Sequence, residues 1–275
     1  MTDKKVTIDV GDGAAIPSHK DRGLFNAWWI SLIGAIGFVV YLCLNRPDPY
    51  WRVLKFIPDG VLVTFEVTIL SIMVALVLGL FTGLGRISKN KAVNLVASTY
   101  VEVIRGIPLL VQLFYIYFAL GQIFSKLPDS NVVFVFLKNM PPLVAAVTAM
   151  GFCYGAYMGE VFRAGIESID KGQTEAARSL GFTRRQTMFL VILPQAWRTI
   201  LPPVGNEFIA LLKDSSLVSI LAVSDILRRG REFASETFFY FEAYTMVALI
   251  YLIITLVLSK IVSAMEHRLN YYDRR

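Results

Sequence analysis

Five charged side chains stand inside or beside long apolar stretches of this chain: Glu102, Arg105, Glu160, Glu207 and Lys213. A charge at membrane depth is costly, so by default it marks a solute pathway or a buried pair. Three uncharged polar side chains join them: Gln112, past a Gly106–Pro108 interruption, and Ser215 with Ser216, just after Lys213. Such a set can recognise a solute. Carboxylates suit an ammonium, a guanidinium or lysine suits a carboxylate, and amides and hydroxyls supply polar contacts. Glu160 leads as the partner of an ammonium or cationic side chain, because small residues precede it along its helix and let a ligand approach. The competing role is an ion pair with Arg163, three residues on. Glu102 and Arg105 have the same spacing and share a helix face; they either pair locally or line an aqueous cavity. Carboxylates of this kind could also carry protons or sodium in a secondary transporter.

Catalysis finds little support. His19 lies in a polar N-terminal tail and His267 near the C-terminus, so neither serves an intramembrane site. There is no Walker A pattern, no Ser-His-Asp set, no paired-carboxylate acid and no metal-ligand spacing. Cys43 and Cys153 both sit in apolar runs and are expected to act as small apolar residues, not as a disulfide. The chain is therefore expected to be no enzyme, and to hold no metal.

The composition says what must position these residues. Of 275 residues, 55% are hydrophobic and 17% charged, so several membrane helices are the default. The net charge of +6 is no argument for nucleic acid, because membrane proteins gather Lys and Arg in cytoplasmic loops. Residues 1–25 read as a polar cytoplasmic tail. Residues 26–57 supply an additional helix, Asn26 to Leu44, and an external loop. Residues 58–265 form the main transmembrane domain, and 266–275 a basic cytoplasmic tail.

Within that domain the second span runs from Pro58 to Gly85, and Arg86, Lys89 and Lys91 then form a short basic loop. Asn94 to Phe124 would measure about 46 Å as one helix, against about 30 Å of hydrocarbon. The sequence Arg105-Gly106-Ile107-Pro108 inside it predicts a kink or break. Ser125 to Met140, with Lys126, Pro128 and Lys138, reads as an external connection. The fourth span starts at Pro141-Pro142 and carries small residues from Ala145 to Gly159. A fifth, between Ala196 and Leu227, is interrupted by Pro202-Pro203, Asn206-Glu207 and Lys213-Asp214-Ser215-Ser216. It is needed to return the C-terminus to the cytoplasm, at the cost of leaving Arg228, Arg229 and Arg231 outside. Phe238 to Val262 is the last.

Between the fourth and fifth spans lies a polar island, residues 172–194. Thr174 can cap a short helix from Glu175 to Leu180, with Glu175 in its dipole-favoured first turn and Gly181 as the stop. Thr183 and Gln186 then form a capping box that opens the next helix. By itself this is a solvated turn or a rigid handle. The pattern Glu175-Ala176-Ala177, Gly181, Val191, Leu193 and Pro194 resembles the EAA loop of the membrane subunits of ABC importers, apart from Val191, where isoleucine is usual.

Further stretches resemble the polar amino-acid subfamily (histidine, glutamate, glutamine, arginine and opine uptake) of those permeases. They are Arg105 to Phe114, Gly155-Ala156-Tyr157 with Glu160 and Arg163, Gly172-Gln173, Leu193 to Ala196, and Lys213 to Leu217. The resemblance covers roughly Thr64 to Leu227. It implies an all-α polytopic bundle of about six membrane helices in a bacterial inner membrane. It implies an importer of polar amino acids working with a periplasmic binding protein, two copies of a cytoplasmic ATPase that binds ATP and Mg, and a second permease, identical or paralogous. Gln173, Glu175, Ala176, Ala177, Leu180 and Gly181 are then expected to couple to the ATPase. Glu160, Gln112, Arg105, Glu102, Lys213, Ser215 and Ser216 are expected along the substrate pathway. Many members have five spans; Asn26 to Leu44 would be an addition.

Overall fold

The computed structural model describes residues 27–125 and 132–271. The expected tail at 1–25 with His19, the loop residues Lys126 and Pro128, and the last four residues lie outside the described residues.

The chain is α-helical. In order come α1 (Ala27–Asn45), α2 (Pro47–Phe56), α3 (Pro58–Arg86) and α4 (Lys91–Gly106). Then follow α5 (Leu109–Phe114), a π-helical turn (Tyr115–Ala119), α6 (Leu120–Ser125) and α7 (Val132–Lys138). After α8 (Pro142–Glu167) come α9 (Lys171–Ser179), α10 (Arg184–Gln186) and a second π-helical stretch (Thr187–Ile192). α11 (Leu193–Asp214) passes into a 3₁₀ helix (Ser215–Leu221), then α12 (Ile226–Thr237) and α13 (Tyr240–Tyr271).

α3 and α8 are the central pair. Gly151 meets Val74, Gly155 meets Leu78 and Gly159 meets Thr82, so residue numbers rise together and the helices run parallel. A methyl group at Gly79 or Gly159 would overlap Met158 or Thr82, which is why the seam is built from small residues. Two parallel helices need the chain to return between them. The return is the α4–α6 run, bent by 102° at Ile107-Pro108. The expected interruption is thus a sharp turn within one crossing.

The remaining directions follow from contacts. Gly165 meets Ile200 and Tyr154 meets Asp214, so α11 runs antiparallel to α8. α13 runs back: Tyr251 touches Asp225 near the start of α12, while Val262 lies against Gly205 of α11. α1 lies antiparallel on α13, its Trp28 donating to the Leu256 carbonyl at 2.7 Å and stacking under Lys260. Four helices are long and apolar enough to span alone, and the bent pair makes five. α11, with its prolines and charges, is the sixth pass by direction only.

Three details were not read from the sequence. The segment after α1 is helical: α2 is an amphipathic helix whose Tyr50, Val53 and Ile57 enter a second core with Phe233, Met246 and Val247. Part of the connection before α8 is likewise helical, as α7. Arg228, Arg229 and Arg231, which stood against the charge rule, are held by protein groups. They pair with Glu232, Asp59 and the Ser219 carbonyl along α12, which lies against the bundle instead of entering it. Arg228 and Arg229, paired with carboxylates, exert less topological pull than free cations would.

Candidate functional site

A cavity of about 400 Å³ opens where two interrupted helices meet. Arg105, Gly106, Ile107, Pro108 and Leu109 line it from the α4–α5 bend. Glu207, Ala210 and Asp214 line it from one face of α11, at the point where that helix tightens into a 3₁₀ turn. Cys153, Tyr154 and Tyr157 close it from the middle of α8. Backbone irregular at membrane depth is tolerated where it lines such a space.

The lining is held from behind. Pro108 has no N–H, so the helix cannot run through it, and the carbonyls of Ile104 and Ile107 need other donors. Gln112, buried one turn on, gives its amide nitrogen to both at 2.8 Å and touches the Cys153 sulfur at 3.6 Å. One side chain thus staples the bend to α8. Arg105, freed by the turn, stacks over the Tyr157 ring at 5.1 Å, a cation–π contact. Tyr154, whose ring lies 5.7 Å from that of Tyr157, donates its hydroxyl to the Asp214 carboxylate at 2.8 Å.

Of the residues expected along the pathway, the structure brings only Arg105 into the cavity. Gln112 stands behind it with its amide nitrogen already engaged. Glu102 is exposed and, among the described residues, forms no ion pair with Arg105. Lys213 is exposed and outside the lining. Ser215 is buried and donates to the Leu212 carbonyl at 2.8 Å, closing the end of α11, and Ser216 is half-buried beside it. Glu160 is paired with Arg86 of α3 and with Arg163, which also reaches Glu167. That chain of charges ties the ends of α3 and α8 together, clear of the cavity lining. Tyr154, Tyr157 and Asp214 were missed as site residues, and Glu207 was weighed only as a membrane charge. A helical signal was present: Glu207, Ala210 and Asp214 recur at i, i+3 and i+7, and Tyr154 and Tyr157 at i, i+3.

At the far end of α8 stands the handle. Its helix begins earlier than expected: Asp170, not Thr174, is the cap, accepting from the Gly172 N–H at 2.7 Å. An aspartate brings a full negative charge to the helix start, which threonine cannot, and Glu175 consequently falls beyond the first turn. The stop is as expected. Gly181 has φ +88°, and Gly181 and Phe182 donate to the Arg178 and Ala177 carbonyls, a Schellman motif. The Thr183–Gln186 capping box is formed. Ala177 faces inward and is buried, whereas Gln173, Glu175, Ala176, Leu180 and Gly181 are exposed. Leu180 is 78% exposed at the helix tip, and Gln173 accepts from Gln195 of α11 at 3.3 Å.

Comparison with known proteins places these features in context. Residues 75–271 match the family described as binding-protein-dependent transport system inner membrane component. The glutamine transport system permease protein GlnP of Escherichia coli (strain K12) is 38% identical over 220 residues, 80% of this chain and 95% of that one. The L-cystine transport system permease protein TcyB of Bacillus subtilis (strain 168) is 39% identical over 228 residues, 81% and 89%. Its arginine transport system permease protein ArtQ is 34% identical, covering 80% and 95%. Among solved structures, an amino acid ABC transporter crystallised with histidines superposes with a TM-score of 0.70 at 41% identity, over 79% of this chain and 95% of that one.

Proposed function

The chain belongs to the family of binding-protein-dependent transport system inner membrane components, and we propose that its solute is an α-amino acid held where the two broken helices meet. It is the membrane permease subunit of an ABC importer, not an enzyme, and ATP hydrolysis is the work of a partner. A proton- or sodium-coupled carrier, the competing account, is set aside on the same grounds.

The observation that carries the proposal is the pairing of opposite charges across one cavity. Arg105 offers a guanidinium, which matches a carboxylate with two parallel hydrogen bonds. Facing it, Asp214 sits at the C-terminal, partially negative end of α11, a place suited to an ammonium. An amino acid presents both groups whatever its side chain.

An importer of this family works with an ATPase and a binding protein. Of two ATPase copies we assign one to α9, touching Gln173, Glu175, Ala176, Leu180 and Gly181, and the other to the second permease, while Ala177 anchors the helix to its own bundle. The permease pairs with a second copy or a paralogue. The periplasmic binding protein docks at the opposite end, beside α2 and α12. This puts α9, the start of α1 and the end of α13 on the cytoplasmic side, in keeping with Lys171, Arg178, Arg184 and Arg185 around the handle. ATP and Mg belong to the ATPase, and this chain needs no cofactor of its own.

The test is Arg105→Gln in proteoliposomes with the ATPase and the loaded binding protein. The KM for uptake should rise at least about tenfold, the size of one lost charge-assisted contact. ATPase stimulation by the binding protein should persist. Uptake with an unchanged KM would remove Arg105 from the site and the proposal with it.

A further inference from the structure

Asp225 is fully buried, yet it stands outside the cavity lining. It precedes α12, and its carboxylate accepts from the Leu227 N–H at 3.2 Å and the Arg228 N–H at 2.9 Å. The Tyr251 hydroxyl of α13 donates to it at 3.2 Å and also meets the hydroxyls of Thr64 and Ser215. Thr64 of α3, itself fully buried, accepts from the Ile226 N–H at 3.2 Å. Two successive residues, Asp225 and Ile226, are thus tied to α3 and α13 by one polar knot. Buried networks of this kind are rigid when their members are satisfied.

The knot closes a segment that does not keep its shape unaided. Between Asp214, at the cavity, and Asp225 the chain forms a 3₁₀ helix of seven residues, where runs beyond three or four are uncommon. That helix ends at Ala222, left-handed at φ +67°, a region alanine enters at a cost. Ala222 is exposed, so no packing of its side chain offsets that cost. Such strain persists only where the surroundings over-determine it. Ser215 and Asp225 bracket the strained segment, and Tyr251 touches both. Seven residues span about 14 Å as a 3₁₀ helix and about 10.5 Å as an α-helix. Relaxation would shift Asp214 relative to Asp225 by about 3.5 Å, enough to break its 2.8 Å hydrogen bond with Tyr154.

We propose that Tyr251 and Asp225 are positioning residues of the importer: their knot keeps the 3₁₀ turn stretched, with Ala222 left-handed, and so holds Asp214 at the cavity. The inference rests on the amino-acid cavity set out above.

The permease is reconstituted in proteoliposomes with its ATPase and the loaded binding protein, and KM and kcat for uptake are read separately. Tyr251→Phe, nearly isosteric, should raise the KM about threefold to tenfold, the share of one hydrogen bond to a charged group, and leave kcat within about twofold. Ala222→Gly removes the left-handed strain, so alone it should leave the KM near the wild-type value. Combined with Tyr251→Phe, it should bring the KM back to within about twofold of wild type. Ala222→Val should act as Tyr251→Phe does, because a branched residue resists the left-handed region. Its exposed position leaves the core undisturbed. An unchanged KM in Tyr251→Phe or in Ala222→Val would overturn the inference, as would a double variant no better than Tyr251→Phe alone. A knot that served stability only would lower the unfolding temperature and leave every one of these KM values in place. The two readings fail separately. If Asp214→Asn leaves the KM unchanged, the place of Asp214 in the cavity is wrong. If Asp214→Asn raises it and Tyr251→Phe does not, only the role of the knot falls.

Discussion

At the scale of single residues, Gln112 shows how a proline break is made tolerable inside a membrane. Two carbonyls that lose helical donors share one amide nitrogen, so the bend is satisfied without water. Gln112→Leu should lower stability by about 1–3 kcal/mol, the usual cost of an unmet buried polar group. Pro108→Ala returns an N–H and lessens the need for the staple. The double variant should then be more stable than the sum of the single effects, yet uptake should not return, because a straightened helix no longer presents Arg105. Strict additivity in thermal unfolding would show that the two residues act separately. Glu160 makes the opposite case. Its ion pairs with Arg86 and Arg163 join α3 to α8, with side chains about a quarter exposed. Glu160→Gln should therefore cost about 1 kcal/mol of stability and leave the uptake KM unchanged. A raised KM would return Glu160 to the solute pathway.

At the scale of elements, the handle depends on a single backbone angle. Gly181 ends α9 at φ +88°, and a Cβ there would meet nothing within 4 Å. Strain alone, not crowding, thus decides what the position accepts. Asparagine visits the left-handed region readily and valine does not. Gly181→Asn should keep most of the ATPase stimulation by loaded binding protein, and Gly181→Val should lose most of it, although both insert normally. Equal activity in the two would mean that the exit angle of α9 has no part in coupling. The same element shows how Asp170 outcompetes Thr174 for the helix start. Both types are good caps, and the choice falls to the residue that adds charge to the N-terminal dipole and leaves four more residues in the helix.

At the scale of the whole molecule, the parallel packing of α3 and α8 dictates the topology. It forces the bent α4–α6 run to count as one crossing, and it sets α9 and α12 at opposite ends of the bundle. With Cys43 and Cys153 replaced, a cysteine at Ser235 on α12 should be labelled in intact cells by an impermeant thiol reagent, and one at Thr183 beside α9 should not. Both positions are exposed. Labelling of both would break the six-pass arrangement; labelling of Thr183→Cys alone would invert it. α1 stands apart. Only Leu32 and Ala35 of its residues are buried, and its Trp28 donates to the Leu256 carbonyl of α13.

Much was decided along the chain itself. Apolar runs long enough to span, the Gly106–Pro108 break, the Gly181 stop and the Thr183–Gln186 box are local events, set by hydration, proline geometry and capping within a few residues. The sixth pass was legible only as a matter of parity, because Pro202, Pro203 and the charges of α11 hide it from hydropathy. The cavity was not legible. Arg105, Tyr154, Glu207 and Asp214 lie on three helices up to 109 residues apart in sequence. Which of the membrane charges meet there depends on where α11 stops against α8 and how sharply α4 turns. Glu160 and Glu207 look alike as isolated acids in apolar surroundings. Glu160 found Arg86 across a helix seam and Arg163 on its own helix, whereas Glu207 came to share a cavity with Arg105, and only the packing of α3, α4, α8 and α11 could make that choice.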